Sequence, residues 1–299
     1  MSWIILLVIV LVVLCLLVAI STFVGWQLTH PKRKPVDDSP ENYSLHRLNV
    51  KFPSRTRDVM LDGWYLASPN PKSEPETITV IMSHGYAGTR LEKGLPALAL
   101  AKALVHAGCH VLMYDFRNSG LSEGTTTTIG LLEKNDVLGA IDWVKINASS
   151  PTKIVLLGFS MGGTASLLAA AEDKSISGVI TDSAFSQLRP YLEANLPVWS
   201  KLPRIPFTPL ILFILPKLIG VNPHAVDALK AVDAIAPRPV LFIHSKDDSA
   251  IPYANSVEMF DRHPNRFELW LTQHADHVGS FQHNSEAYVG RVQNFIAKL

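Results

Sequence analysis

Short runs such as "TITVIMSH" (77–84), "HVLMYDF" (110–116), "KIVLLGF" (153–159), "SGVITDS" (177–183) and "RPVLFIHS" (238–245) recur along the chain. They are apolar on both faces, so strands built from them must be covered on both sides. Segments with helical character lie between them. Residues 91–106 carry Leu91, Leu95, Leu98 and Val105 at helical spacing and stop near Gly108, and further helices are expected over 130–146 and 161–172. Beyond 238–245 the pattern continues with a helix at 253–262, the strand "RFELWLTQ" (266–273) and a last helix at 284–298. Strands that alternate with helices build a mostly parallel central sheet with helices on both faces. The handedness of crossovers makes it a doubly wound α/β domain. Two earlier strands, "HRLNVKF" and "DVMLDGWYLAS", precede it, with Asp62-Gly63 read as a turn or bulge and "PNPKSEPE" (69–76) as a loop.

The 299 residues leave room for one large domain or two smaller ones. A net charge of +1 without a basic stripe argues against nucleic acid as a partner. The two cysteines, Cys15 and Cys109, suggest neither a disulfide framework nor a cysteine metal site. From Trp3 to Leu28 no side chain is charged, and Ile, Leu and Val dominate. Such a run can cross a bilayer as a helix, with Trp3 and Trp26 near its two ends. A cleaved signal peptide is the competing reading, weakened by the length of the run and the lack of Lys or Arg before it. The expectation is therefore a single-pass membrane anchor over 3–28 and a linker over 29–44, rich in Pro, Asp and Lys. Lys32, Arg33 and Lys34 follow the run directly, which puts the rest of the chain on the cytoplasmic side.

Gly158-Phe159-Ser160-Met161-Gly162 fits G-x-S-x-G between an expected strand and an expected helix. At such an elbow the serine adopts a strained backbone that lifts its hydroxyl clear, and side chains two positions away would collide. The bland alternative is an ordinary glycine-rich turn. A serine hydroxyl needs a base, and the base needs a carboxylate to orient it. "HADHVGS" offers His274 and His277, and "HSKDDSAIP" offers Asp247 and Asp248, each just past a strand end where open α/β sheets gather functional groups. The order Ser, Asp, His suits this architecture.

With "SHGYAG", "YDFRNSGLSEG", "GFSMGG", "DSAF", "PVLFIHSKDDSAIP" and "HADH" in this order, residues 45–299 resemble the α/β-hydrolase superfamily. The likeness is strongest to membrane-anchored bacterial members related to prolyl oligopeptidase-type and dienelactone hydrolase-type enzymes. The resemblance implies an α/β-hydrolase fold and a serine hydrolase that needs no cofactor and no metal. The superfamily's H-G-x-x-D-x-x-V-P loop, counted from His244 to Pro252, implies Asp248 as the acid, although Ser245 replaces the glycine. Asp247 and Asp182 remain rivals. The resemblance also implies His277 as the base, and the backbone N–H groups of Met161 and Tyr86 as the oxyanion hole. His84 is read as a structural tie, and Asp115 and Arg117 as an internal ion pair or as partners of loop amides.

Residues 185–236 interrupt the alternation with "LPVWSKLPRIPFTPLILFILPKLIGV". At this point the superfamily inserts a cap, which would line a pocket for an acyl chain, with 205–221 as its wall. Core helices broken by Pro206, Pro209 and Pro216, or a surface touching the bilayer, are the alternatives. The resulting expectation is a hydrolase of carboxylic esters or thioesters acting on small or acyl-chain substrates. A prolyl oligopeptidase-like peptidase and a non-catalytic binding or scaffold protein are the competing readings.

Overall fold

The computed structural model describes residues 2–71, 77–92, 94–148, 152–220 and 222–299. The expected loop at 69–76 therefore lies largely outside the described residues. Helix α1 (Ser2–Thr29) comes first, and strands β1 (Leu48–Pro53) and β2 (Met60–Leu66) follow. The alternating part is β3 (Thr77–Ser83), α2 (Ala97–His106), β4 (His110–Tyr114), α3 (Glu133–Asn147), β5 (Thr152–Phe159), α4 (Met161–Glu172) and β6 (Ile176–Asp182). Helices α5 (Leu188–Ser200), α6 (Arg204–Ile219) and α7 (Ala228–Ile235) occupy the interruption. The chain closes with β7 (Val240–Ser245), α8 (Ala254–Asp261), β8 (Glu268–Thr272), α9 (Ser280–His283) and α10 (Ser285–Ile296).

The eight strands form one sheet in the order β1-β2-β4-β3-β5-β6-β7-β8, and every neighbouring pair from β4 onward is parallel. Only β2 runs antiparallel to its neighbours β1 and β4. Leu112, Leu156, Val179 and Phe242 pack on one face with α3, α4 and α7, while Val111, Leu157, Ile180 and Leu241 pack on the other with α2 and α10. This two-sided burial is what the doubly apolar runs require.

Two expectations need correction. Asp62 and Gly63 form no turn: they sit in β2, paired with Lys51 and Val50. Gly63 is there because a Cβ would press on the Met113 carbonyl and on Tyr114 of the neighbouring strand. The helix expected over 91–106 starts only at Ala97, since Gly94 has a φ of +103° and Pro96 precedes the first turn. Helix α6 runs through Pro209 and Pro216, with its one non-helical residue at Ile205.

Along α1, Trp3–Thr29 is 27 residues with an 18-residue stretch of mean hydropathy 3.6, long and apolar enough to cross a membrane as an anchor or signal sequence would. Residues 3–20 stand free, apart from the half-buried Leu17. From Ser21 onward the helix is packed on the domain, with Ser21, Gly25 and Thr29 buried. These small residues recur every four positions and so share one face. A Cβ on Gly25 would lie 3.1 Å from a Leu218 methyl, so this face is what lets α6 come close. After α1, the Arg33 guanidinium donates to the carbonyls of Ser122 and Gly124. Pro40 and Leu45 are buried further along the same segment.

Candidate active site

Ser160 lies between the end of β5 and the first residue of α4, with φ 51° and ψ −121°. This left-handed backbone is costly for a residue with a side chain, and it persists because its surroundings fix it. The Ser160 amide donates to the Asp182 carbonyl at 2.8 Å. A Cβ on Gly158 would overlap the Gly162 carbonyl, and one on Gly162 would overlap the carbonyls of Ser83 and His84. Both glycines of the motif are thus required by the turn itself.

His277 stands 3.0 Å from Ser160 Oγ through Nε2 and 2.8 Å from Asp248 Oδ2 through Nδ1. A carboxylate only accepts, so Nδ1 carries the proton and Nε2 offers its lone pair to the serine. The Asp248 side chain is fully enclosed. Its Oδ1 accepts the amides of Ala250 and Ile251 at 2.9 and 2.8 Å. Burial raises its pKa, but hydrogen bonds from His244 and His277 outweigh burial and hold it well below the usual carboxylate range. For His277 burial disfavours the imidazolium, yet the hydrogen bond and charge of Asp248 prevail and raise its pKa.

The rival groups are engaged elsewhere. Asp247 accepts the backbone N–H of His274 at 2.6 Å, and His274 is exposed. Asp182 is buried beneath Ser160 and accepts from Ser183 Oγ at 3.1 Å; burial pushes its carboxyl up to about 6. His244, used in the sequence only to count the loop, turns out to support the acid. Its Nε2 donates to the Ile251 carbonyl at 2.8 Å and lies 3.2 Å from Asp248 Oδ2.

Met161 heads α4, so its amide has no partner within the helix. Tyr86 lies in the turn after β3, where neither its amide nor that of Met161 donates to a described residue. A Cβ on Gly85 would stand 3.3 Å from Ser160 Cβ, which places this turn directly against the serine. Glu92, missed in the sequence because no motif marks it, accepts the Gly85 amide. His84 accepts the Phe116 amide at Nε2 (2.9 Å) and donates from Nδ1 to the Gly85 carbonyl (2.7 Å). Its burial lowers the pKa, so the ring remains neutral and ties the turn to the loop after β4. Asp115 and Arg117 do not pair with each other. Asp115 holds Arg90 at 2.5 Å, with both side chains fully buried, while Arg117 pairs with Asp136 at 2.7 Å and Asp58 at 2.8 Å. Among the described residues no cluster of His, Cys, Asp and Glu could hold a metal ion.

A cavity of about 720 Å³ opens over Ser160 and His277. From the 185–236 stretch its lining takes Phe185, α5 residues such as Tyr191, Leu196 and Trp199, and Leu202. Among the described residues of 205–221, expected to wall an acyl pocket, none lines it. Leu212 is buried against the domain core, and Phe213 is 65% exposed. The domain end of α1, unforeseen from the sequence, also lines it, with Ile20, Phe23, Val24, Gln27 and Leu28.

The profile of the alpha/beta hydrolase fold family matches residues 78–218. The uncharacterized protein YqkD of Bacillus subtilis is 30% identical over 241 residues, covering 80% of this chain and 76% of that protein. The lysophosphatidylserine lipase ABHD12 of Danio rerio is 28% identical over 186 residues, which are 61% of this chain and 46% of the lipase. Among solved structures, the Pyrococcus furiosus esterase Pf2001 superposes with a TM-score of 0.74 at 26% identity, over 91% of this chain and 98% of the esterase. Fold and esterase neighbours together support hydrolase activity. The sheet order, the serine elbow and the span shared with YqkD lead to one assignment: the chain belongs to the α/β-hydrolase fold family.

Proposed function

We propose that the protein is a membrane-anchored serine hydrolase that cleaves carboxylic esters or thioesters through an acyl-enzyme. The observation that carries this reading is the continuous relay from Ser160 through His277 to Asp248, at 3.0 and 2.8 Å, on a strained elbow. Ser160 Oγ attacks the acyl carbon while His277 Nε2 takes its proton, and the ionised Asp248 stabilises the imidazolium. The alkoxide of the tetrahedral intermediate is met by the amides of Met161 and Tyr86, each such donor contributing about 3–4 kcal/mol. His277 then protonates the leaving alcohol or thiol. Water, deprotonated by the same nitrogen, releases the acid and restores Ser160. The mostly apolar cavity beside the serine suits an acyl group, and the esterase Pf2001 at 26% identity favours ester chemistry. In this reading α1 is an uncleaved anchor, and Lys32, Arg33 and Lys34 keep the domain on the cytoplasmic side.

The test is labelling of the full-length protein with a fluorophosphonate probe. Wild type should label and Ser160→Ala should not, with loss of ester hydrolysis in parallel. Equal labelling of both proteins would remove Ser160 as nucleophile.

A further inference from the structure

We infer that the domain end of α1 is part of the substrate site, and that the substrate is a long-chain acyl ester of a membrane lipid which enters from the bilayer along this helix. This rests on the serine hydrolase reading and specifies its substrate. Ile20, Phe23, Val24, Gln27 and Leu28 line the cavity that holds Ser160 and His277. Their spacing of three and four residues puts them on one face of α1. The adjoining face, Ser21, Gly25 and Thr29, is buried, so the wall is fixed by packing.

Hydrogen bonds fix it as well. The final carbonyls of a helix lack intrahelical donors. Here Tyr86 Oη donates to the Leu28 carbonyl at 2.7 Å, and the Thr127 amide donates to the Thr29 carbonyl at 2.8 Å. Burial raises the Tyr86 phenol to about 12, so it keeps the proton this bond needs. Tyr86 also carries the amide assigned to the oxyanion, so the end of α1 steadies the catalytic turn while it walls the cavity.

The route follows from where α1 becomes free. Residues 3–20 would extend about 27 Å at 1.5 Å per residue, close to the roughly 30 Å hydrocarbon core. Ile20, the last residue of that free stretch, already lines the cavity, so the cavity reaches the level at which the helix leaves the domain. Trp199 and Leu202 line it from the α5–α6 corner, where Val198 and Ile205 are 69% and 78% exposed beside the exposed Lys201 and Arg204. Exposed apolar side chains flanked by basic ones suit a bilayer interface. A chain sliding from the hydrocarbon along α1 would meet Ile20, Phe23, Val24 and Leu28 on its way to Ser160, with Gln27 as the polar member of this wall. A cleaved signal peptide has no use for such a wall.

The experiment uses the full-length protein in detergent with p-nitrophenyl esters from acetate to palmitate. Wild type should prefer long chains. Val24→Phe, which fills the wall, should reduce the laurate-to-acetate ratio of kcat/KM by about tenfold or more, each excluded methylene counting about fourfold. Phe23→Ala, which enlarges the cavity, should move the optimum to longer chains. Val10→Phe, on the free stretch of α1, should leave the profile unchanged. After reconstitution into vesicles, ester lipid in the protein's own bilayer should be consumed and lipid in separate vesicles spared. A flat wild-type profile, unchanged ratios in both wall variants, or equal consumption of both lipid pools would overturn the inference while Ser160 still labels and hydrolyses. Absence of both labelling and hydrolysis in wild type would remove the hydrolase reading and this inference with it.

Discussion

Replacing Asp248 by Asn changes one atom pair and tests the proposed relay at its buried end. The Asn carbonyl can still accept the amides of Ala250 and Ile251, which now approach Oδ1 at 2.9 and 2.8 Å. Its NH2 group then faces His277 Nδ1 at 2.8 Å and His244 Nε2 at 3.2 Å. An NH2 group donates, so Nδ1 must become the acceptor and the proton moves to Nε2, the nitrogen that has to receive the Ser160 proton. His277 in this tautomer cannot act as base, and the positive charge it would acquire has lost its counter-charge. The expected loss is about 10⁴-fold in kcat, or roughly 5.4 kcal/mol of transition-state stabilisation. It should be measured as kcat for p-nitrophenyl acetate, with circular dichroism to confirm folding. Asp247→Asn, which alters only the bond to the His274 amide, should stay within about tenfold of wild type, the range of an exposed change away from the chemistry. A folded Asp248→Asn enzyme within tenfold of wild type, or a larger loss in Asp247→Asn or Asp182→Asn, would refute the assignment of the acid.

The His277 pKa is raised, so kcat/KM should climb with pH through a value above the ordinary 6.5, and the Asp248→Asn substitution should move that limb down; a pH–rate profile reads both. Because the folded-state pKa is raised, the His277 contribution to stability is complete below its unfolded value and disappears as pH rises through the folded one. Asp248 is depressed, so its contribution is present above 3.8 and fades as pH falls toward the folded value, a loss that urea titrations at acid pH should detect. Asp115→Ala leaves the fully buried Arg90 with only Asp62, at 2.6 Å, as counter-charge and removes the acceptor of the Arg90 and Leu121 amides, and should cost about 3–5 kcal/mol in chemical unfolding. A reporter active only outside the cytoplasm, fused after Leu299, should stay silent if the proposed orientation is right.

The elements legible in the sequence were those whose own residues dictate their environment. Helix α4 runs over Met161–Glu172, as the small-residue run after the elbow implied, and the doubly apolar strands lie where they were expected. The start of α2 is not legible in the sequence because Leu91 and Leu95 keep helical spacing inside a loop, while Gly94 and Pro96 set the backbone there. Gly63 reads locally as a turn residue, yet it is chosen by the neighbouring strand, which a linear pattern does not contain. Ser160, Asp248 and His277 were legible through ordered motifs at strand ends, and the structure brings their side chains together. Glu92 and His244 were not legible as site residues, because each acts on a group remote in sequence through a bond that has no local signature. The role of α1 was hidden for a different reason. Its length and lack of charge read as one span, and the polar residues Ser21, Thr22, Gln27 and Thr29 of its last turns do not by themselves reveal that α6 and Tyr86 pack against them.

Arg33 gives the segment after α1 a mechanical character. With its guanidinium on the carbonyls of Ser122 and Gly124, and with Thr29 bonded to Thr127, this stretch is a brace between helix and domain. If α1 spans the membrane as proposed, a domain braced in this way could not swivel on it, and its attitude to the membrane normal would be that of α1. Helices adjust to bilayers thicker or thinner than their apolar length by tilting, at a cost of fractions of a kcal/mol per Å of mismatch. For a chain seated by α1, each such tilt would carry the mouth of the cavity with it, toward the hydrocarbon on one side and away on the other. On the proposed reading, bilayer thickness would act on substrate supply through rigid-body leverage, with no effector bound.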